Sequence, residues 1–107
     1  MDAIIVLTTT DSAELAQRIA AALVEAGEAA CVNIIPGIRS IYRWEGKICD
    51  EGEFLLVIKS DAGKYEAVRR RIRGLHSYQV PEVIAISISA GDPAYLQWLQ
   101  GCLAFNS

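Results

Sequence analysis

The chain predicts an α+β domain in which a four-stranded antiparallel sheet carries helices on one face, in the order strand, helix, strand, strand, helix, strand, with one further helix at the end. Three observations carry this. β-branched runs open the chain, fill its middle and return near residue 84, and stretches with helical apolar spacing separate them. The two middle runs meet at Glu45-Gly46, which reads as a turn and makes them a hairpin. The length of 107 residues fits one domain, placed at 1–107, with enough chain to bury a core without disulfides or a metal.

Each element has its own signature. "AIIVLTT" is the first strand. Asp11 followed by Glu14 resembles a capping box, Leu15, Ile19, Leu23 and Ala26 recur at helical spacing, and Gly27 suits the position past a helix end. The first helix is therefore expected from about Ser12 to Ala26. "AACVNII", a break at Pro36-Gly37, and "IRSIYRW" form the second strand region, and "KICDEGEFLLVIKS" the third. Asp61 is positioned to cap a second helix with the apolar stripe Tyr65, Val68, Ile72 and Leu75. Ile84, Ile86 and Ile88 alternate with small residues in a fourth strand that reads as buried. Asp92-Pro93 starts a terminal helix carrying Leu96, Leu99 and Leu103. The whole is a split βαβ, or ferredoxin-like, arrangement.

The long central hairpin, from about Ala29 to Ser60, does not fit a monomer. Its arms outrun the first and fourth strands, so the part carrying Ile41, Tyr42, Trp44 and Ile48 has no partner in its own chain. Exposed aromatics on unpaired edges call for a second subunit.

Composition excludes several classes. Hydrophobic residues make up 52% and charged residues 21%, far from disorder, and the net charge of -3 gives no general attraction to nucleic acid or anionic membrane. No apolar run reaches the roughly 20 residues of a spanning helix. The N-terminus lacks a basic segment and a cleavage site, so a cytoplasmic location is expected. Cys31, Cys49 and Cys102 are widely spaced, which favours free thiols. Cys31 reads as buried, Cys49 as more accessible and Cys102 as packing.

No phosphate-binding glycine loop, nucleophile elbow or second histidine is present. The polar stretch "LHSYQVPEVIAI" is the conspicuous exception in an apolar chain. Its His76, Tyr78 and Glu82 are open to two readings: a metal or small-ligand pocket, or a joint in which His76 caps the preceding helix and Pro81 sets an extended entry. Thr8, Thr9 and Thr10 before a helix start can hold an anion or simply cap. Arg69, Arg70, Arg71 and Arg73 form a solvated face or an anion patch.

"AACVNIIPGIRSIYRWEGKI", "FLLVIKS", "LHSYQVPEVIAI" and "YLQWL" together resemble the CutA family of divalent-cation tolerance proteins, nearly end to end. The resemblance implies a ferredoxin-like subunit in a tight homotrimer similar to PII signalling proteins, with the long hairpins pairing between subunits. It implies a response to metal ions, notably copper, and no enzymatic activity. His76, Tyr78, Pro81 and Glu82 match the family's His-x-Tyr-x-x-Pro-Glu pattern, while Ser77 and Gln79 depart from it, and Thr8 and Leu75 stand where members proposed to bind copper carry a cysteine and a second histidine.

The expected function is thus a homotrimeric divalent-cation tolerance protein that binds copper or another divalent ion weakly or indirectly, with His76 and Cys31 as the metal candidates and no organic cofactor. The alternative is a PII-like sensor with an inter-subunit pocket near Trp44, Glu45, Lys59, His76, Tyr78 and Glu82. An acyl-phosphate hydrolase using the arginines of the second helix comes last.

Overall fold

Antiparallel ladders join four strands in the spatial order β2-β3-β1-β4. The computed structural model describes residues 2–104 of the domain expected at 1–107. Along the chain run β1 (Ala3–Thr10), α1 (Ala13–Glu25), β2 (Cys31–Trp44), β3 (Lys47–Asp61), a single 3-10 turn (Ala62–Lys64), α2 (Tyr65–Leu75), β4 (Ile84–Ser87) and α3 (Pro93–Cys102). This is the α+β, ferredoxin-like arrangement that the apolar pattern predicts.

The strands alternate, so each has two faces. On one, Ile4 and Val6 of β1 and Leu56 and Ile58 of β3 meet Leu15, Ile19 and Leu23 of α1 and Val68 and Ile72 of α2 in the main core. The other face carries Ile5, Leu7, Leu55 and Val57, and in β4 it carries Ile84 and Ile86, which pair with Leu7 and Ile5. Ile84 and Ile86 are 51% and 52% exposed, so β4 is not the buried strand its sequence suggests. Its isoleucines point away from the helices onto a face that the described residues leave open. The terminal helix packs Leu99 and Leu103 against Ala30. Cys102 is exposed rather than packed, beside the buried Leu99 and Leu103 but not among them.

Three local expectations shift. Ser12, not Asp11, caps α1: it has the extended backbone of a cap, and its Oγ accepts from the Leu15 amide at 3.1 Å. Asp61 precedes the 3-10 turn instead of α2 and makes no capping bond. Pro36-Gly37 does not end the second strand. It makes a bulge between Ile35 and Ile38, tolerated because β2 is an edge strand and Gly37 takes a φ of +77°.

The hairpin projects as expected. β1 pairs with β3 only over Phe54 to Asp61, so from Lys47 to Glu53 the third strand has β2 alone as neighbour. Glu45 and Gly46 form the tip with φ of 50° and 79°, a two-residue turn matched to strand twist. Arg39 grips Asp50 across this ribbon through two bonds of 2.7 and 2.6 Å.

Candidate functional site

The sheet narrows from its full width to the bare hairpin where β1 ends at Thr10. There the segment between α2 and β4, residues 76–83, crosses as a strap. His76 ends α2, and its amide donates to Ile72 O at 2.8 Å. Its ring then fastens the strap. Nε2 lies 2.7 Å from Thr9 O, and Nδ1 accepts from the Tyr78 amide at 3.0 Å. A carbonyl only accepts and an amide only donates, so the proton belongs on Nε2 and the free lone pair of Nδ1 is in use. The imidazole also lies against the Tyr78 ring, with centroids 4.5 Å apart.

Held this way, Tyr78 reaches β3. Its hydroxyl donates to Glu53 Oε2 at 2.6 Å. Glu53 is in phase with Leu55 and Val57 on the uncovered face, yet it is only 6% exposed because the strap lies over it. Burial, then the hydrogen bond to Glu53, hold the Tyr78 phenol far above the ordinary tyrosine value, so it stays a donor at all physiological pH. Glu82 follows on the strap. Desolvation raises its carboxyl above the usual range, and the negative charge of Glu53 adds to the rise.

Strap and hairpin enclose a cavity of about 620 Å³, within the size range of small-molecule sites. Thr9 and Glu53 contribute from the sheet. Ser40, Ile41, Tyr42 and Trp44 line the hairpin side, and Tyr78, Gln79, Val80 and Glu82 the strap side. Tyr42 donates to Glu51 at 2.9 Å, which pushes its own pKa up to about 12.

Of the residues expected at a pocket, Trp44, Tyr78 and Glu82 come together here. Glu45 sits at the hairpin tip, His76 fastens the start of the strap without lining the cavity, and Lys59 is further along β3, bonded to Asn33 and 3.9 Å from Cys31 Sγ. His76 and Cys31 are not brought together: His76 touches Thr9, whereas Cys31 pairs with Lys59, whose partner on β1 is Ile5. Among the described residues no group of three or more His, Cys, Asp or Glu is placed to hold a metal ion. Cys31 and Cys49 are half-buried. On α2, Arg69 is paired with Glu66, and Arg71 with Glu28. Of the threonines, Thr10 accepts from the Ser12 amide at 3.3 Å, just ahead of the helix that Ser12 caps.

The sequence reading does not single out Glu53. The available signal was its phase: a charge in step with Leu55 and Val57 on a strand face.

A family model described as CutA1 divalent ion tolerance protein matches residues 4–102. The chain belongs to that family. Among similar proteins is the divalent-cation tolerance protein CutA of Thermus thermophilus, 46% identical over 96 residues, covering 90% of this chain and 93% of that one. The corresponding protein of Pectobacterium atrosepticum is 40% identical over 102 residues, covering 95% and 93%. The crystal structure of CutA1 from Oryza sativa superposes with a TM-score of 0.95 at 39% identity, covering 99% of this chain and 97% of that one. The cytoplasmic location expected from the N-terminus does not stand for this family. Relatives in Oryza sativa and Arabidopsis thaliana are named chloroplastic, and a solved CutA from Archaeoglobus fulgidus is described as periplasmic. What holds for this chain is narrower: among the described residues no helix is long and apolar enough to cross a membrane.

Proposed function

We propose that this member of the divalent ion tolerance family works as a homotrimer whose response to metal stress is indirect, exerted through a small molecule held between strap and hairpin. It is a sensor and not an enzyme. The observation that carries this reading is the cavity over the buried Glu53–Tyr78 pair. Its position supports a pocket at a subunit boundary, because Glu53 lies in phase with the apolar residues of the open sheet face. His76 serves as the joint that shapes this cavity. Ligating copper through His76 would displace either the Tyr78 amide from Nδ1 or the proton from Nε2 that faces Thr9 O. Copper contacts are therefore weak and made elsewhere.

Calorimetric titration with copper tests the metal half. Wild type and a folded His76→Ala variant should give superimposable isotherms, and loss of the binding heat in the variant would make His76 a ligand after all. A thermal-shift screen tests the sensor half, since a ligand selective for the native assembly raises its midpoint. A flat response across small organic molecules at millimolar concentration would refute it.

A further inference from the structure

Two carboxylates, Glu53 and Glu82, line the cavity, and among the described residues no lysine, arginine or histidine lines it with them. Such a site favours a positive guest. Glu53 gives Oε2 to the Tyr78 hydroxyl, and no other side-chain hydrogen bond among the described residues reaches it, although 94% of its surface is covered. A carboxylate that deep needs compensation beyond one phenol. The remaining walls are aromatic or apolar: Trp44, Tyr42, Tyr78, Ile41 and Val80. The faces of tryptophan and tyrosine carry the negative end of a quadrupole and attract cations that shed water easily. A bare magnesium or calcium ion is poorly served by such walls, because it demands six or more oxygen ligands, and zinc or copper would want imidazole or thiolate ligands that the lining lacks. An alkylated nitrogen suits both features, with its charge toward the carboxylates and its methyl or methylene groups against the rings.

We infer that the cavity between the hairpin and the strap binds a small organic ammonium, a primary or methylated amine, held by Glu53 and Glu82 and covered by Trp44 and Tyr42. This rests on the reading of the cavity as a ligand site and names the chemical class of its ligand. The polar lining at Thr9, Ser40 and Gln79 leaves room for a hydroxyl or carbonyl on the same guest.

The test is titration calorimetry of the full chain in its native assembly, at low ionic strength and pH 8. Choline is the charged probe and 3,3-dimethylbutan-1-ol its neutral counterpart of the same shape. Choline should bind at least tenfold more tightly than the alcohol. Glu53→Gln, which keeps the volume and an acceptor for Tyr78, should weaken choline at least tenfold. Trp44→Leu should weaken it several-fold and guards against a folding defect peculiar to the first variant, and circular dichroism verifies both. Equal binding of choline and the alcohol would overturn the ammonium class while leaving a ligand site in place. Magnesium or calcium displacing choline from wild type, with their own binding lost in Glu53→Gln, would assign the carboxylates to a metal and overturn it too. No binding of either organic probe at millimolar concentration, with Arg43 or Lys47 of a neighbouring copy found in the cavity by crystallography, would remove both the inference and the sensor reading beneath it.

Discussion

His76 Nε2 stands 2.7 Å from the carbonyl oxygen of Thr9, so the only histidine of the chain ties the end of α2 to the end of β1. From that tie follow the path of the strap, the placing of Tyr78 over Glu53, and the cavity itself. A residue that looks like a metal ligand in the sequence is, in the fold, the pin of a joint.

Removing the pin has a definite consequence. His76→Ala leaves Thr9 O and the Tyr78 amide without their partners in a half-buried place. Each such loss costs about 1–3 kcal/mol when water does not replace the bond. The variant should unfold at lower denaturant than wild type, and any organic ligand of the cavity should bind more weakly because Tyr78 is released. Chemical denaturation with an unchanged midpoint would show that the strap is held by other means.

Thr8 gives the opposite expectation. It is fully buried on the helix-facing side of β1, and its Oγ1 finds no hydrogen-bond partner among the described residues. Valine has the same shape without the hydroxyl. Thr8→Val should therefore stabilise the protein, by about 1 kcal/mol if an orphan hydroxyl costs what such groups usually do. A lower denaturation midpoint for the variant would reveal a partner for Oγ1, such as a buried water.

The fold was largely legible because its signals are local. Period-two runs, the Glu45-Gly46 turn and the Asp92-Pro93 start each sit within a few residues of sequence and need no tertiary context. The overhang was legible too, by comparing the lengths of the strands. The site was not. Glu53 and Tyr78 are 25 residues apart, and their contact exists only because His76 turns the strap across the sheet. β4 misled for a related reason: alternation shows that Ile84 and Ile86 share a face, but which face depends on the register with β1, where they lie opposite Leu7 and Ile5. Asp11 against Ser12 was a contest between adjacent capping residues, decided by backbone angles that composition does not set.

Glu82 predicts a pH dependence whose sign is fixed. Desolvation, and secondarily Glu53, raise its carboxyl in the folded chain, so the native state keeps the Glu82 proton to higher pH than the unfolded chain does. Its contribution to stability is full below the unfolded value and is lost as pH rises through the folded one. Asp50 and Glu66 act in the reverse sense, because Arg39 and Arg69 lower their carboxyls, and their stabilisation is lost as pH falls. Comparing wild type with Glu82→Gln isolates the first effect. The stability difference between the two should grow in favour of the glutamine as pH rises from the ordinary glutamate value of 4.5. A difference independent of pH between acid and neutral conditions would contradict the environment described for Glu82.

Assembly is the prediction that touches most of the structure. The sheet face opposite the helices presents Ile5, Leu7, Leu55, Val57, Ile84 and Ile86, and among the described residues no element covers Ile84 or Ile86. At one end of the same sheet the hairpin exposes Ile41 at 67% and Ile48 at 63% of their surface. Burying apolar surface yields roughly 25 cal/mol per Å², so chains that turn this face inward gain from it. The projecting ribbon and the short β4 edge are different surfaces, and contacts between unlike surfaces close only as rings. Three chains around a three-fold axis would bury the open faces together and give each hairpin a neighbour. Light scattering of the wild type at micromolar concentration should then report about three times the chain mass of 11.7 kDa. Ile86→Asp puts a charge on the buried seam without touching the helix-side core, and Trp44→Asp does the same at the hairpin. Both should lower the mass while the helical signal in circular dichroism persists. Arg70→Ala, on the exposed side of α2, should leave it unchanged. A wild-type mass of a single chain would leave the open face unexplained and defeat the trimer.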